Sequence, residues 1–107
     1  MIEAIKNLLG LGPRVNYAEL VKNGATIVDV RTKGEYAGGH VKGSVNIPLD
    51  RLRQSLGSIK KTSPVITCCA SGMRSGSAKS ILKTNGFTEV HNGGGWVSLQ
   101  AKLKRAN

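Results

Sequence analysis

The sequence predicts an α/β domain, a central and mostly parallel sheet with helices on both faces. Three observations predict it. Short β-rich apolar runs recur along the chain, segments with helical spacing of apolar residues lie between them, and Gly or Pro separates one from the next. A chain of 107 residues fits one domain spanning residues 1–107. A domain of this size buries roughly two-thirds of its unfolded surface, enough for one modest core. The aromatics are few (Tyr17, Tyr36, Phe87 and Trp96), so that core rests on Leu, Ile, Val and Ala.

The elements follow in order. Ile2, Ile5, Leu8 and Leu9 have helical spacing and Gly10 ends them, which predicts an N-terminal helical extension over residues 1–14. Asn16 and Glu19 have the spacing of a capping pair for a helix through Val21-Lys22, stopped by Gly24. Thr26-Ile27-Val28-Asp29-Val30 reads as a buried strand, Glu35-Tyr36-Ala37 as one helical turn, and residues 44–47 as a second strand closed by Pro48. Leu49, Leu52, Leu56 and Ile59 share one face of a predicted helix, with Arg51 and Arg53 turned away. After Ser63-Pro64 comes a strand over residues 65–68, then a cysteine-led loop, then a helix with Ala78, Ile81 and Leu82 inward. Gly86 ends that helix. A short strand at Glu89-Val90-His91 leads into a glycine turn, Asn92-Gly93-Gly94-Gly95. A last helix carries Trp96, Leu99 and Leu103 and ends in Lys102, Lys104 and Arg105, a charge that suits its macrodipole.

The net charge is +10, from 16 Lys and Arg against 6 Asp and Glu. That charge favours anionic partners. The basic residues are scattered and carry no interleaved aromatics, so they read as a solvated surface rather than a nucleic-acid site. Two cysteines adjacent in sequence cannot staple distant segments. This points to a reducing compartment, with cytoplasmic location expected. Two thiols side by side and two isolated histidines make no metal site, and no cofactor is implied. No apolar run approaches the ~20 residues of a membrane span. The Gly93-Gly94-Gly95 run lacks the spacing of a dinucleotide fingerprint.

The chemistry concentrates in Cys68-Cys69-Ala70-Ser71-Gly72-Met73-Arg74-Ser75. A strand, a tight loop opening on cysteine and a helix start together favour the thiolate, the reactive form. Inward amides and the positive end of the helix both lower the thiol pKa. Either cysteine can be counted as the first residue. Four residues separate Cys69 from Arg74-Ser75, and five separate Cys68 from it. Strand alternation points the two side chains in opposite directions.

Several motifs in order carry a family resemblance: Asp29-Val30-Arg31, Glu35-Tyr36, Gly39-His40-Val41-x-Gly43, Asn46-Ile47-Pro48, the loop from Cys69 to Ser75, and Gly93-Gly94-Gly95-Trp96. Over about residues 15–103 the chain resembles a single-domain rhodanese of the rhodanese-like sulfurtransferase family. In that family the nucleophile opens a loop of the form Cys-x-x-Gly-x-Arg, which Cys69, Gly72 and Arg74 match. Cysteine phosphatases place glycines at the third and fifth positions after their cysteine. Counted from Cys68, those positions hold Ser71 and Met73.

The resemblance implies a thiosulfate sulfurtransferase cycle in which Cys69 takes a sulfane sulfur from an anionic donor, becomes a persulfide, and passes the sulfur to cyanide or a thiol. A protein sulfur donor or acceptor fits the same cycle. Around Cys69 it implies an active-site loop of Ala70, Ser71, Gly72, Met73, Arg74 and Ser75, with Asp29, Arg31 and His40 as structural support. Thiosulfate-using members often carry basic side chains just after the cysteine, where this chain has Ala70 and Ser71. Arg74 is expected both to meet the donor and to brace the loop, and Ser75 and Ser77 to cap the helix. Two other readings stand beside this one. One is a phosphatase or arsenate reductase using Cys68, and the other a basic interaction or sulfur-carrier module without turnover.

Overall fold

The computed structural model describes residues 15–105. The helical extension expected over residues 1–14 lies outside the described residues. Four parallel strands form one sheet in the order β2-β1-β3-β4: β1 (Thr26–Asp29), β2 (Val45–Asn46), β3 (Val65–Cys69) and β4 (Val90–Gly95). The chain leaves β1 to one side for β2 and returns to its other side for β3. The order therefore reverses between β1 and β3, at whose carboxyl ends α/β sheets hold ligands.

Strand alternation splits the core into two layers. Val28, Val30, Val65 and Cys69 face α3 (Met73–Thr84) and the segment after β2, where they meet Leu52, Ile59, Ala78, Leu82 and Phe87. Ile27, Ile66 and Cys68 face the other way, against Val41, Leu99 of α4 (Trp96–Arg105), and Tyr17 and Leu20 of α1 (Tyr17–Lys22). The β1 and β3 runs are apolar on both faces because both faces are covered, as the predicted fold class requires.

Local chemistry sets the element ends. The Asn16 side chain caps α1, accepting from the Glu19 amide. The single helical turn expected at Glu35-Tyr36-Ala37 is α2 (Lys33–Ala37), and it starts with a full capping box. Thr32 Oγ1 accepts from the Glu35 amide while the Glu35 carboxylate accepts from the Thr32 amide.

Three expectations need correction. Residues 49–59 are not one helix but two 3-10 turns, Leu49–Gln54 and Leu56–Ser58. Ser55 Oγ donates to the Arg51 carbonyl and so competes with a continuing ladder, and Gly57 favours the second turn least as α-helix. The buried side of this segment is still the predicted one, with Leu52 and Ile59 inside. The glycine run is not a turn but the carboxyl half of β4. A Cβ on Gly93 would stand 2.8 Å from the Thr67 carbonyl oxygen, and one on Gly95 would stand 2.8 Å from that of Ala70. Glycine is a poor strand former, yet only glycine lets β4 approach this closely. Finally, β3 runs one residue further than expected, so Cys69 and not Cys68 is its last residue.

Candidate active site

The loop from Cys69 to Ser75 closes the carboxyl end of β3 and opens α3. Cys69 is 1% exposed. The Gly72 amide donates to its sulfur at 2.9 Å, and the Ser75 hydroxyl lies 3.6 Å away. Gly72 is the residue before α3 and has φ 110°, a left-handed backbone that a side chain would strain. That conformation turns its N–H inward to the sulfur. Burial alone would push the Cys69 thiol up. Hydrogen bonds from the Ser75 side chain and from the Ser75, Gly72 and Ser71 amides outweigh it, and the net direction is down.

Cys68 has the opposite fate. It is fully buried in the second core layer with Ile66 and Leu99. Burial, reinforced by the nearby Asp29 charge, pushes it up to about 12. At neutral pH it is an inert thiol pointing away from the loop. Ser75 and Ser77 do not cap α3, which has no side-chain cap. Ser75 instead sits buried in the first turn, beside the sulfur, and Ser77 is exposed.

Arg74 reaches across to α2. Its two terminal nitrogens donate to the two Glu35 carboxylate oxygens at 2.7 and 3.0 Å. Glu35 thus serves two masters, the capping box behind it and the loop guanidinium in front. Its hydrogen bond with Arg74, then those with Thr32, hold its carboxyl down to about 2. A depressed carboxyl contributes stability that is complete above its unfolded pKa, about 4.3, and is lost as pH falls through the folded value. The Arg74–Glu35 pair is therefore expected to persist through mild acid and to open only toward pH 2. A 13C-NMR titration of the Glu35 carboxyl should show a midpoint near 2, and Arg74→Ala should return it toward the ordinary range.

The rest of the loop offers no charge. Ala70 and Ser71 are exposed, and Met73 is 83% exposed. Below it, Asp29 and Arg31 close the end of β1 as a buried pair, 0% and 4% exposed. Arg31 Nε and one terminal nitrogen donate to the Asp29 carboxylate at 3.0 and 2.7 Å. The guanidinium also donates to the Gly39 and Glu35 carbonyls and lies 4.8 Å over the Trp96 ring. Asn46 ties the neighbouring strand in by donating to the Asp29 and Arg31 carbonyls. His40 is exposed. Its ring stacks on Tyr36 at 3.7 Å, and its Nδ1 lies 2.7 Å from the Tyr36 carbonyl oxygen. Trp96, expected as core or pocket wall, packs half-buried between Arg31 and the second core layer.

Two residues at this site escaped the sequence reading in that capacity. Glu35 carried a visible signal, the Thr32-x-x-Glu35 spacing of a capping box, but nothing in its position announced a partner 39 residues on. Asn92, counted as part of a glycine turn, places its side chain on both Ser75 and Gly72.

Among the described residues, no three His, Cys, Asp or Glu side chains come together as metal ligands would. No helix among them is long and apolar enough to cross a membrane. A groove of about 690 Å³ lies between α1 and α4, lined by residues such as Lys22, Lys42, Gln100 and Lys104, away from the cysteine loop.

Known proteins place this architecture. The model of the rhodanese-like domain matches residues 15–102. An uncharacterized protein of Bacillus subtilis (strain 168), YqhL, is 41% identical over 81 residues, a match covering 75% of this chain and 64% of that protein. The thiosulfate sulfurtransferase PspE of Escherichia coli (strain K12) is 39% identical over 70 residues, or 64% of this chain and 67% of that one. Aligned sequence therefore spans about two-thirds of these relatives' length. A solved structure described as a rhodanese with anions from E. coli superposes with TM-score 0.67 at 35% identity, covering 70% of this chain and 91% of its own. With a cysteine loop at the sheet's reversal point, a family model matching most of its length and relatives this similar, the chain belongs to the family of rhodanese-like domains.

Proposed function

We propose that this protein is a sulfurtransferase in which Cys69 is the nucleophile and carries sulfur as a persulfide. The observation that carries the reading is the Cys69 sulfur held at 2.9 Å by the Gly72 amide, beside a buried Ser75 hydroxyl at 3.6 Å. A phosphoryl group presents three equatorial oxygens and needs a wide cradle of donors, whereas a single sulfur atom needs only a small one. The relatives described as thiosulfate sulfurtransferases, PspE and GlpE, support the same activity.

The cycle has two displacements. The Cys69 thiolate attacks the outer sulfur of thiosulfate. The donor's S–S bond breaks, sulfite leaves with the electron pair, and Cys69 becomes a persulfide anion. Cyanide, or an acceptor thiolate, then attacks the outer sulfur and releases Cys69 as thiolate. Both steps require negative charge on or next to the Cys69 sulfur, which the loop amides, Ser75 and Arg74 stabilise. Arg74 is engaged by Glu35, so a dianionic donor meets a guanidinium whose charge is already shared. Thiosulfate remains the leading donor, and a persulfide of a small molecule or a partner protein is the alternative. Two unpaired thiols suit a reducing compartment, and we place the protein in the cytoplasm.

The test is intact-mass spectrometry after incubation with thiosulfate. The wild type and Cys68→Ala should gain one sulfur atom, which cyanide then removes. Cys69→Ser should gain none. An adduct retained in Cys69→Ser and lost in Cys68→Ala would reverse the assignment. Turnover of an aryl phosphate that depends on Cys68 would favour the phosphatase reading.

A further inference from the structure

Asn92 lies outside the loop, on β4, yet it touches the loop at two points. Its Oδ1 lies 2.5 Å from the Ser75 Oγ and also accepts the Gly94 amide at 2.9 Å. Its Nδ2 donates to the Gly72 carbonyl oxygen at 3.3 Å. The Gly94 N–H fixes which end of the amide is oxygen, because that donor must meet an acceptor. The Tyr17 hydroxyl, donating to the Asn92 carbonyl at 3.2 Å, holds the backbone of this position from α1.

Ser75 has one hydroxyl proton and three neighbours that can take it: Asn92 Oδ1 at 2.5 Å, the Gly72 carbonyl at 3.0 Å and the Cys69 sulfur at 3.6 Å. It can serve only one of them well at a time. When the sulfur is a thiol, its S–H points to Ser75 Oγ and the Ser75 proton belongs on Asn92. When the sulfur is anionic, the Ser75 proton belongs on the sulfur, because a hydrogen bond to a charge is about twice as strong as a neutral one. Neither oxygen is then stranded. Asn92 Oδ1 keeps the Gly94 amide, and the Gly72 carbonyl keeps Asn92 Nδ2 and the Gly76 amide.

We propose that Asn92 is a positioning residue of this site: its side-chain oxygen is the second resting place of the Ser75 hydroxyl, so that one donor follows the charge on Cys69. This rests on the sulfurtransferase reading, and it explains a need of that chemistry. Through the cycle the Cys69 sulfur alternates between an anionic thiolate and the neutral inner atom of a persulfide, whose charge sits on the outer sulfur. Ser75 turns to Cys69 in the first state and back to Asn92 in the second. It keeps its proton throughout, and no bond other than hydrogen bonds is made or broken.

The charged and titratable groups around Cys69 stay constant in the test. They are Arg74 on α3 with Glu35 on α2, Asp29 and Arg31 at the end of β1, and on β4 His91, which pairs with Glu89; the thiol of Cys68 on β3 is removed from every protein compared. The experiment is the pH profile of Cys69 alkylation by iodoacetamide, in a Cys68→Ala background so that one label reports one sulfur. Asn92→Ala removes the competing acceptor, so Ser75 turns to the thiolate more readily. The midpoint should fall by about 0.5 to 1 pH unit, roughly a three- to tenfold gain in thiolate below the midpoint. Asn92→Asp supplies a stronger acceptor and a negative charge, and the midpoint should rise by about one unit or more. In Ser75→Ala the Asn92→Ala substitution should move nothing.

A merely structural Asn92 predicts a different pattern. Both variants would then loosen the loop and shift the midpoint the same way, and the effect of Asn92→Ala would persist without Ser75. Either result, or no shift at all, overturns the proposal. The opposed signs of the Ala and Asp variants decide the matter even if Ser75→Ala does not fold. Alkylation reads the sulfur directly, so failure of sulfur loading from thiosulfate would be a separate result that leaves this one intact.

Discussion

Asp29→Ala is expected to destabilise the protein by about 3–5 kcal/mol, the usual cost of removing one partner of a buried ion pair. The cost comes from what is left behind. Arg31 is 4% exposed, and without the carboxylate its Nε loses its partner while its terminal nitrogens keep only carbonyls. Its charge would stand without its carboxylate partner over the Trp96 ring, largely shielded from solvent. Exchanging both members, Asp29→Leu with Arg31→Met, should recover part of the loss, because paired removal leaves no orphan charge. Urea unfolding of the wild type and the two variants measures this directly. A loss under about 1 kcal/mol for Asp29→Ala would show that the guanidinium finds solvent after all. A domain of this size has only about 5–15 kcal/mol to lose, so the single substitution takes a large share.

The second large effect concerns turnover. Arg74→Ala should lower kcat/KM for thiosulfate by about 10²–10³, the range seen when one preorganised donor is taken from a developing anion. Arg74 and Cys69 feel each other's charge. Its loss also leaves the Glu35 carboxylate unpaired beside the loop, adding repulsion toward an anionic donor. Arg74→Lys should rescue little, since a point charge cannot grip both carboxylate oxygens at once. Glu35→Gln should be the milder change, about tenfold, because glutamine keeps the helix cap while releasing Arg74. Steady-state thiosulfate:cyanide kinetics on the three variants check the order. A loss with Arg74→Ala no larger than with Glu35→Gln would assign Arg74 to bracing alone.

The fold was legible where local pattern and tertiary need agree. The apolar runs at Ile27-Val28 and Val65-Ile66 are apolar on both faces because both faces are covered, and the sequence displays that need directly. Residues 49–59 misled because leucines at helical spacing fit 3-10 turns nearly as well over so short a stretch. The glycines of β4 misled because their reason is a neighbour: the contacts with Thr67 and Ala70 that exclude a Cβ are invisible without the sheet. At the site, the cysteine, glycine and arginine of the loop were readable as one contiguous string. Glu35 and Asn92 were not, because each acts on the loop from another element and is ordinary in its own local sequence. Polar partnerships across the fold leave no periodicity to read.

The two sulfurs sit back to back on β3, and in the proposed cycle this would govern traffic through the site. In that cycle, a sulfur atom loaded on Cys69 would face Cys68 across the sheet, in the opposite core layer, with no direct route between the two. Cys69 itself is almost closed to solvent. A sulfur donor and a sulfur acceptor would then meet the same buried atom, one after the other. On the proposed reading, order would follow from shape, the spent donor leaving before the acceptor comes in.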